Sequence, residues 1–341
     1  MKRTCVMLLF LVASGSPAAA LEPEDGAVFV RLVDVGAGLC CVVKMPGDHY
    51  MIYDAGYWQG SGEQATIDAI QELVPAGAEV DLLALSHSDA DHLGTVDWIC
   101  DTYTVKKVLR SGHQRSTATW QAADQAIRLE REHDGCLDIN LRYFEYPPGA
   151  TYRFGDTFVT MVCGFHKPPA DWGSLSQSEK RNAGSVVIRL LYKDKSILFT
   201  GDTVGRHIGD AANACIAAEK FMIDMSKVIT IDSDVLIAPH HGADNGSSTA
   251  FIQAVSPEFA IFSAGHDYDH PRAAAAQRYR DQEVALAKMF RTDFGDDESD
   301  DGDDEWTHGR QAGTQDGPGD DDVDILIRST GELVVGYRNP H

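Results

Sequence analysis

No apolar run in this chain of 341 residues is long enough to span a bilayer as a helix, so channel-forming membrane segments are absent from it. Positive charge is scarce: 29 Lys and Arg stand against 52 Asp and Glu, a formal charge of −23. Such a field repels polyanions, so no stable nucleic-acid-binding surface is expected, although a bound metal can supply local positive potential for catalysis on a phosphate. Cysteine is sparse and no C-x-x-C occurs, so no zinc knuckle is expected. No internal repeat of fixed period and no EF-hand spacing are present.

What is present begins with a leader. Met1-Lys2-Arg3, the apolar run Cys5 to Val12 and Ser16-Pro17-Ala18-Ala19-Ala20 read as the basic, apolar and small-residue parts of a signal peptide, residues 1–20. Cleavage near Ala20 would place residues 21–341 in a bacterial periplasm or outside the cell, with no transmembrane segment left. Loss of Lys2 and Arg3 takes the charge from −23 to −25. Cysteines 40, 41, 100, 136, 163 and 215 would remain, mostly as buried small apolar residues, with a Cys100–Cys136 bridge left open. Cys40 and Cys41, adjacent on a strand, should face opposite sides.

With 43% apolar residues, a mature chain of this length can bury one large core. Paired strands are expected over Phe29–Val35 and Cys41–Met45, with Tyr50–Tyr53 as a third and a helix over Ala65–Leu73. Beyond the run Val80–Leu85 come a strand at Val105–Leu109 and a helix from Ala118 to Glu132. Hairpins are expected at Thr151–Phe154/Thr157–Cys163 and Val186–Tyr192/Ser196–Thr200. Val235–Ala238, a helix Ser248–Val255, Phe259–Ser263 and a helix Arg272–Lys288 then alternate as an α/β half should. The stretch at about 294–322 is acidic and poor in apolar residues, and reads as a flexible insertion before the last strands, Ile325–Arg328 and Leu333–Val335.

The chemistry concentrates in Ser86-His87-Ser88-Asp89-Ala90-Asp91-His92, on the loop between a buried strand and a short helix. Residues two apart in a turn can point the same way. His87 and Asp89 can therefore grip one cation while Asp91 and His92 grip another about 3.5–4 Å away, as in two-metal hydrolases. The bland alternative is an acidic helix cap with two incidental histidines.

The hexad His87-x-Asp89-x-Asp91-His92 resembles the signature of the metallo-β-lactamase superfamily. Val33-Asp34-Val35-Gly36-Ala37-Gly38, Ile52-Tyr53-Asp54-Ala55-Gly56, Asn182-Ala183-Gly184-Ser185, Phe199-Thr200-Gly201-Asp202, Pro239-His240-His241-Gly242 and His270-Pro271 follow in order. Together they resemble the soluble hydrolase domain of bacterial competence DNA-channel proteins of the ComEC type, with Ala37 and Leu39 departing from that subgroup's usual D-V-G-Q-G-D.

The resemblance implies a four-layer αββα sandwich and two divalent ions, zinc or manganese. It makes Asp202 the ligand bridging both ions and His270 the closing ligand of the second, with Asp91 and His92. Asn182 stands where many relatives carry Gly-His, which leaves the first ion, held by His87 and Asp89, short of a ligand. His166 is the nearest histidine to compensate, beside its reading as a surface residue before Lys167-Pro168-Pro169. His240 or His241 falls where related phosphodiesterases place a histidine that protonates the leaving oxygen. The implied activity is metal-dependent phosphodiester hydrolysis by a metal-activated hydroxide, nuclease-like, with a small phosphodiester or single-stranded DNA as substrate. The alternative is hydrolysis of a lactone, thioester or β-lactam.

Overall fold

The structure is a computed structural model and describes residues 20–58, 60, 62–211, 213–265, 267–295, 304–309 and 319–339. Most of the leader and parts of the acidic stretch lie outside these residues.

Two sheets face each other. The first contains eight strands in the order Leu333–Tyr337, Val323–Ile327, Val28–Leu32, Cys40–Met45, His49–Ala55, Leu82–Leu85, Lys107–Arg110 and Leu137–Asn140. It is antiparallel as far as His49–Ala55 and parallel beyond. The second has seven: Met289–Arg291, Phe259–Phe262, Val235–Ile237, Lys195–Phe199, Val187–Tyr192, Thr157–Cys163 and Thr151–Phe154. Its first four strands are parallel and the rest antiparallel.

The period-two pattern of the strands divides the apolar residues among three layers. Val30, Val43 and Tyr53 of the first sheet meet Ile188, Phe199 and Ile261 of the second between the sheets. Phe29, Val42 and Ile52 point the other way, onto Ile70 of the helix Gly62–Leu73, Ile99 of Val96–Thr102 and Ile127 of Ala118–His133. On the far side Leu198, Leu236 and Phe262 pack on Met222 of Ala217–Met225, Phe251 of Thr249–Val255 and Tyr279 of Ala273–Asp281. This is the expected αββα sandwich. Cys41 faces the inter-sheet core and Cys40 the helix layer, and all six described cysteines are free thiols. No described helix is long and apolar enough to cross a membrane.

Two expectations differ from what is seen. The helix foreseen over Arg272–Lys288 stops at Asp281, where Glu283 takes a positive φ and the chain turns into the edge strand Met289–Arg291. The acidic stretch is also not uniformly solvated. Arg291, fully buried, pairs with Asp293 and Glu305, while Trp306 joins the helix-side core. At the other end Asp324 forms a bidentate pair with buried Arg31 at 2.8 and 3.0 Å, and Asp322 accepts from the Asp34 amide. These acids enter the interior because each has a guanidinium or amide to meet it. Residues 296–303 and 310–318 of that stretch are outside the described residues.

Candidate metal centre

Except for Asn182 and His166, the candidate ligands lie on loops leaving the carboxyl ends of strands with a parallel neighbour. His87, Asp91 and His92 follow Leu82–Leu85; Asp202 follows Lys195–Phe199; His240 and His241 follow Val235–Ile237; His270 follows Phe259–Phe262. These loops open together at one edge of the sandwich, where open α/β sheets bind ligands.

The loops approach so closely that side chains are excluded at two glycines. A Cβ on Gly56 would lie 1.6 Å from the Asp91 carbonyl oxygen, and one on Gly201, which has a positive φ of 52°, would lie 2.4 Å from Ser86 Cβ. His240 and His241 themselves hold φ of 50° and 56°. Such backbone costs on the order of 1–3 kcal/mol per residue and persists where surrounding structure fixes it. Here the His240 amide donates to the Gly201 carbonyl at 2.9 Å, tying the histidine loop to the Asp202 loop.

Asp91, His92, Asp202 and His241 each offer a ligand atom, and these atoms lie within 4.8 Å of one another. His92 Nε2 is 3.2 Å from Asp202 Oδ1 and 3.7 Å from Asp91 Oδ2; His241 Nε2 is 3.4 Å from the same Asp202 oxygen. His92 Nδ1 meets the Asp54 carboxylate at 2.8 Å, and Asp54 also accepts the Ser86 amide at 2.6 Å. His241 Nδ1 donates to the Ser263 carbonyl at 2.9 Å. With each Nδ1 used as a donor to an acceptor, the neutral ring presents a lone pair at Nε2. Yet the two Nε2 atoms face each other at 3.3 Å, and Asp202 Oδ1 is buried with no hydrogen-bond partner. Two lone pairs and two carboxylates converge on a space that needs a cation or a proton. Where only protons are available, burial lowers the basicity of His92 but Asp202, Asp54 and Asp91 raise it well above its ordinary value. A divalent cation fits the same donor set, and the carboxylate and carbonyl partners behind the histidines are of the kind that orient metal ligands.

The remaining candidates are arranged differently from the sequence expectation. His270 stacks on His241 at a centroid distance of 6.4 Å and is not among the four residues whose ligand atoms converge. Asp89 is occupied by arginines: Arg181 Nε and Nη2 donate to its two oxygens at 2.9 and 3.3 Å, and Arg115 pairs with it as well. Burial alone would raise the Asp89 carboxyl, but His87 and the two arginines hold it at about 2. His87 Nε2, buried without a hydrogen-bond partner, lies 3.5 Å from Asp202 Oδ2 and 4.0 Å from Asp89 Oδ2. Asn182 donates its amide to His240 Nε2 at 3.1 Å, and His240 Nδ1 meets Asn245 Oδ1 at 2.7 Å. His166 is away from the cluster, its Nδ1 donating to the Gly112 carbonyl.

Asp54 belongs to the motif Ile52-Tyr53-Asp54-Ala55-Gly56, but Arg115, on the segment before the helix Ala118–His133, and Arg181, on the short helix Gln177–Ala183, are marked by no local sequence pattern. A cleft of about 910 Å³ spreads over the cluster, lined by Arg115, Arg181, Trp58, Tyr268 and Arg272 among others, with His240, His241 and His270 in its wall.

Residues 33–266 match the metallo-beta-lactamase superfamily. The chain belongs to that family. The superfamily implies divalent metal, for which the four converging residues are the candidate site. Among curated proteins the chain is similar to "Competence protein ComA" of Neisseria gonorrhoeae, 26% identical over 85% of this chain and 34% of the relative, and to "ComE operon protein 3" of Bacillus subtilis, 23% identical over 63% and 24%. The chain thus spans about a third or less of the length of these relatives. Among solved structures it is similar to the metallo-beta-lactamase fold protein YhfI from Bacillus subtilis, at a TM-score of 0.44 and 12% identity over 77% of this chain and 95% of that one.

Proposed function

We propose that this chain is a metal-dependent phosphodiesterase, nuclease-like in the chemistry it performs. The observation that carries the reading is the pairing of one compact cation site, Asp91, His92, Asp202 and His241, with two guanidinium groups, Arg115 and Arg181, in the same cleft wall. Guanidinium is matched to phosphate oxygens, whereas a lactam or ester carbonyl has less use for it. The competence relatives accord with a nucleic-acid substrate, and the leader pattern over residues 1–20 with action outside the cytoplasm.

When bound, a divalent cation supplies a Lewis acid that polarises the phosphoryl oxygen and acidifies water. The two histidines and two aspartates accept zinc or manganese. Of the two ions expected, one has a full set of protein ligands. A second would draw on His87 Nε2, Asp202 Oδ2 and the unpartnered Asn182 Oδ1, because Arg115 and Arg181 engage Asp89. Asp54 and the Ser263 carbonyl fix the tautomers of His92 and His241. We assign contact with the leaving oxygen to His270, whose ring lines the cleft, in place of His240 or His241.

The test is turnover by the purified mature chain with manganese, zinc or magnesium. Bis-p-nitrophenyl phosphate and single-stranded DNA should be hydrolysed, with manganese stimulating, and nitrocefin left intact. Zinc-dependent nitrocefin hydrolysis with no diester cleaved would replace this reading by the lactam-hydrolase alternative.

A further inference from the structure

Beside the metal cleft lies a second one, of about 730 Å³, whose wall carries His113, Arg142, His166, Lys167 and Lys180 and not a single carboxylate. In a chain with 52 acids and 29 Lys and Arg, such a wall is a local inversion of the overall charge. Most cations here are neutralised: Arg31, Arg110, Arg206, Arg278 and Arg291 all lie in ion pairs. Among the described residues, Arg142, Lys167 and Lys180 pair with no carboxylate. The crowding reaches the histidines: burial first, then Arg181 and His166, lowers the basicity of His113, and burial, Arg142 and Lys167 lower that of His166.

The two clefts are flanked by residues adjacent in the chain. Gln114 of the second precedes Arg115 of the first and accepts from Arg142. Lys180 is adjacent to Arg181 on the helix Gln177–Ala183, and Arg181 Nη1 donates to the Gln177 carbonyl at 3.1 Å. His113 Nδ1 meets Ser88 Oγ, in the metal loop, at 3.4 Å. Positive charge without a carboxylate partner therefore runs from Lys167 and Arg142 to Lys180, next to Arg181, which shares the single carboxylate of Asp89 with Arg115.

We infer that this basic cleft is a subsite for the backbone of a single nucleic-acid strand, holding phosphates next along the chain from the one at the metal centre. The inference rests on the phosphodiesterase reading for its choice of polyanion. It also revises what the net charge suggests: −23 is an average over the surface, and a strand senses the groove it lies in.

The experiment compares the wild-type holoprotein with the double variant Lys167→Gln/Lys180→Gln and a control, Lys220→Gln/Lys288→Gln, that removes equal charge elsewhere. Binding of a fluorescein-labelled, phosphorothioate-linked oligothymidylate of about 12 nucleotides, within the range single-strand-binding folds cover, is followed by anisotropy against salt. The cleft variant should bind more weakly, and its log K against log salt slope should shrink by about 1.4, at about 0.7 for each strand phosphate left without its lysine. The control should behave as wild type, and kcat/KM on bis-p-nitrophenyl phosphate, too small to reach both clefts, should be unchanged in all three. Equal effects in the cleft variant and the control, or none in either, would overturn the subsite. Cleft-dependent binding without hydrolysis of any diester would instead refute the phosphodiesterase reading and leave the subsite standing.

Discussion

His92 and His241, drawn from loops of opposite sheets, meet Nε2 to Nε2 at 3.3 Å while their Nδ1 atoms are held by Asp54 and the Ser263 carbonyl. That relationship makes the two halves of the sandwich one site. Neither histidine can turn away without abandoning a buried partner, and a buried acceptor left unsatisfied costs about 1–3 kcal/mol.

If His270 contacts the leaving oxygen and holds no cation, His270→Ala will keep the wild-type metal content while kcat falls by about 10²-fold or more, in the range of general acid–base contributions. Elemental analysis and steady-state kinetics on one preparation check both halves. Loss of metal in this variant would return His270 to the ligand role.

Gly56 leaves no room for a methyl group beside Asp91. Gly56→Ala should push the Asp91 loop away, cost about 1–3 kcal/mol as overpacking does, and weaken metal retention. Denaturant melts of metal-loaded and chelated protein measure the two effects. A variant with wild-type stability and wild-type metal content would mean that the loops can separate without consequence.

Glu219 links the helix Ala217–Met225 to the loop that follows the histidines, accepting the Ser247 and Ser248 amides at 2.6 and 2.8 Å. Burial pushes its carboxyl up to about 7, against those amides and Arg278. Between the ordinary glutamate value, near 4.5, and about 7 the folded state then holds a proton that the unfolded state has lost. The contribution of Glu219 to stability accordingly falls as pH rises across that window, by on the order of 3 kcal/mol at its upper end. Urea titrations at pH 4.5 and 7 should show a smaller decline for Glu219→Gln than for wild type. Parallel declines in the two proteins would show that Glu219 does not titrate in this window.

Much of this architecture is legible in the sequence because period-two alternation and turn residues determine it locally. The hairpin Thr151–Phe154/Thr157–Cys163 falls where Gly155-Asp156 puts it, and the helix expected over Ser248–Val255 begins one residue later, with Ser248 as its cap. The strand Leu137–Asn140 and the helix Gln177–Ala183 escape notice, being short and lacking a clean period. At the site, the motifs fix which loops converge but not which histidine of two loops turns inward. His240 and His241 sit on a left-handed backbone in Pro239-His240-His241-Gly242 that no periodicity reveals. The Arg115–Asp89–Arg181 cluster brings together residues up to 92 positions apart, and only tertiary structure shows it.

The central claim, that one cation is held by Asp91, His92, Asp202 and His241, is tested most directly by elemental analysis after gel filtration of wild type, His241→Ala, Asp202→Ala and Asp89→Asn. The account predicts about one tightly held zinc or manganese per wild-type chain, little in the first two variants, and an undiminished equivalent in Asp89→Asn. Full metal in His241→Ala together with its loss in Asp89→Asn would contradict it.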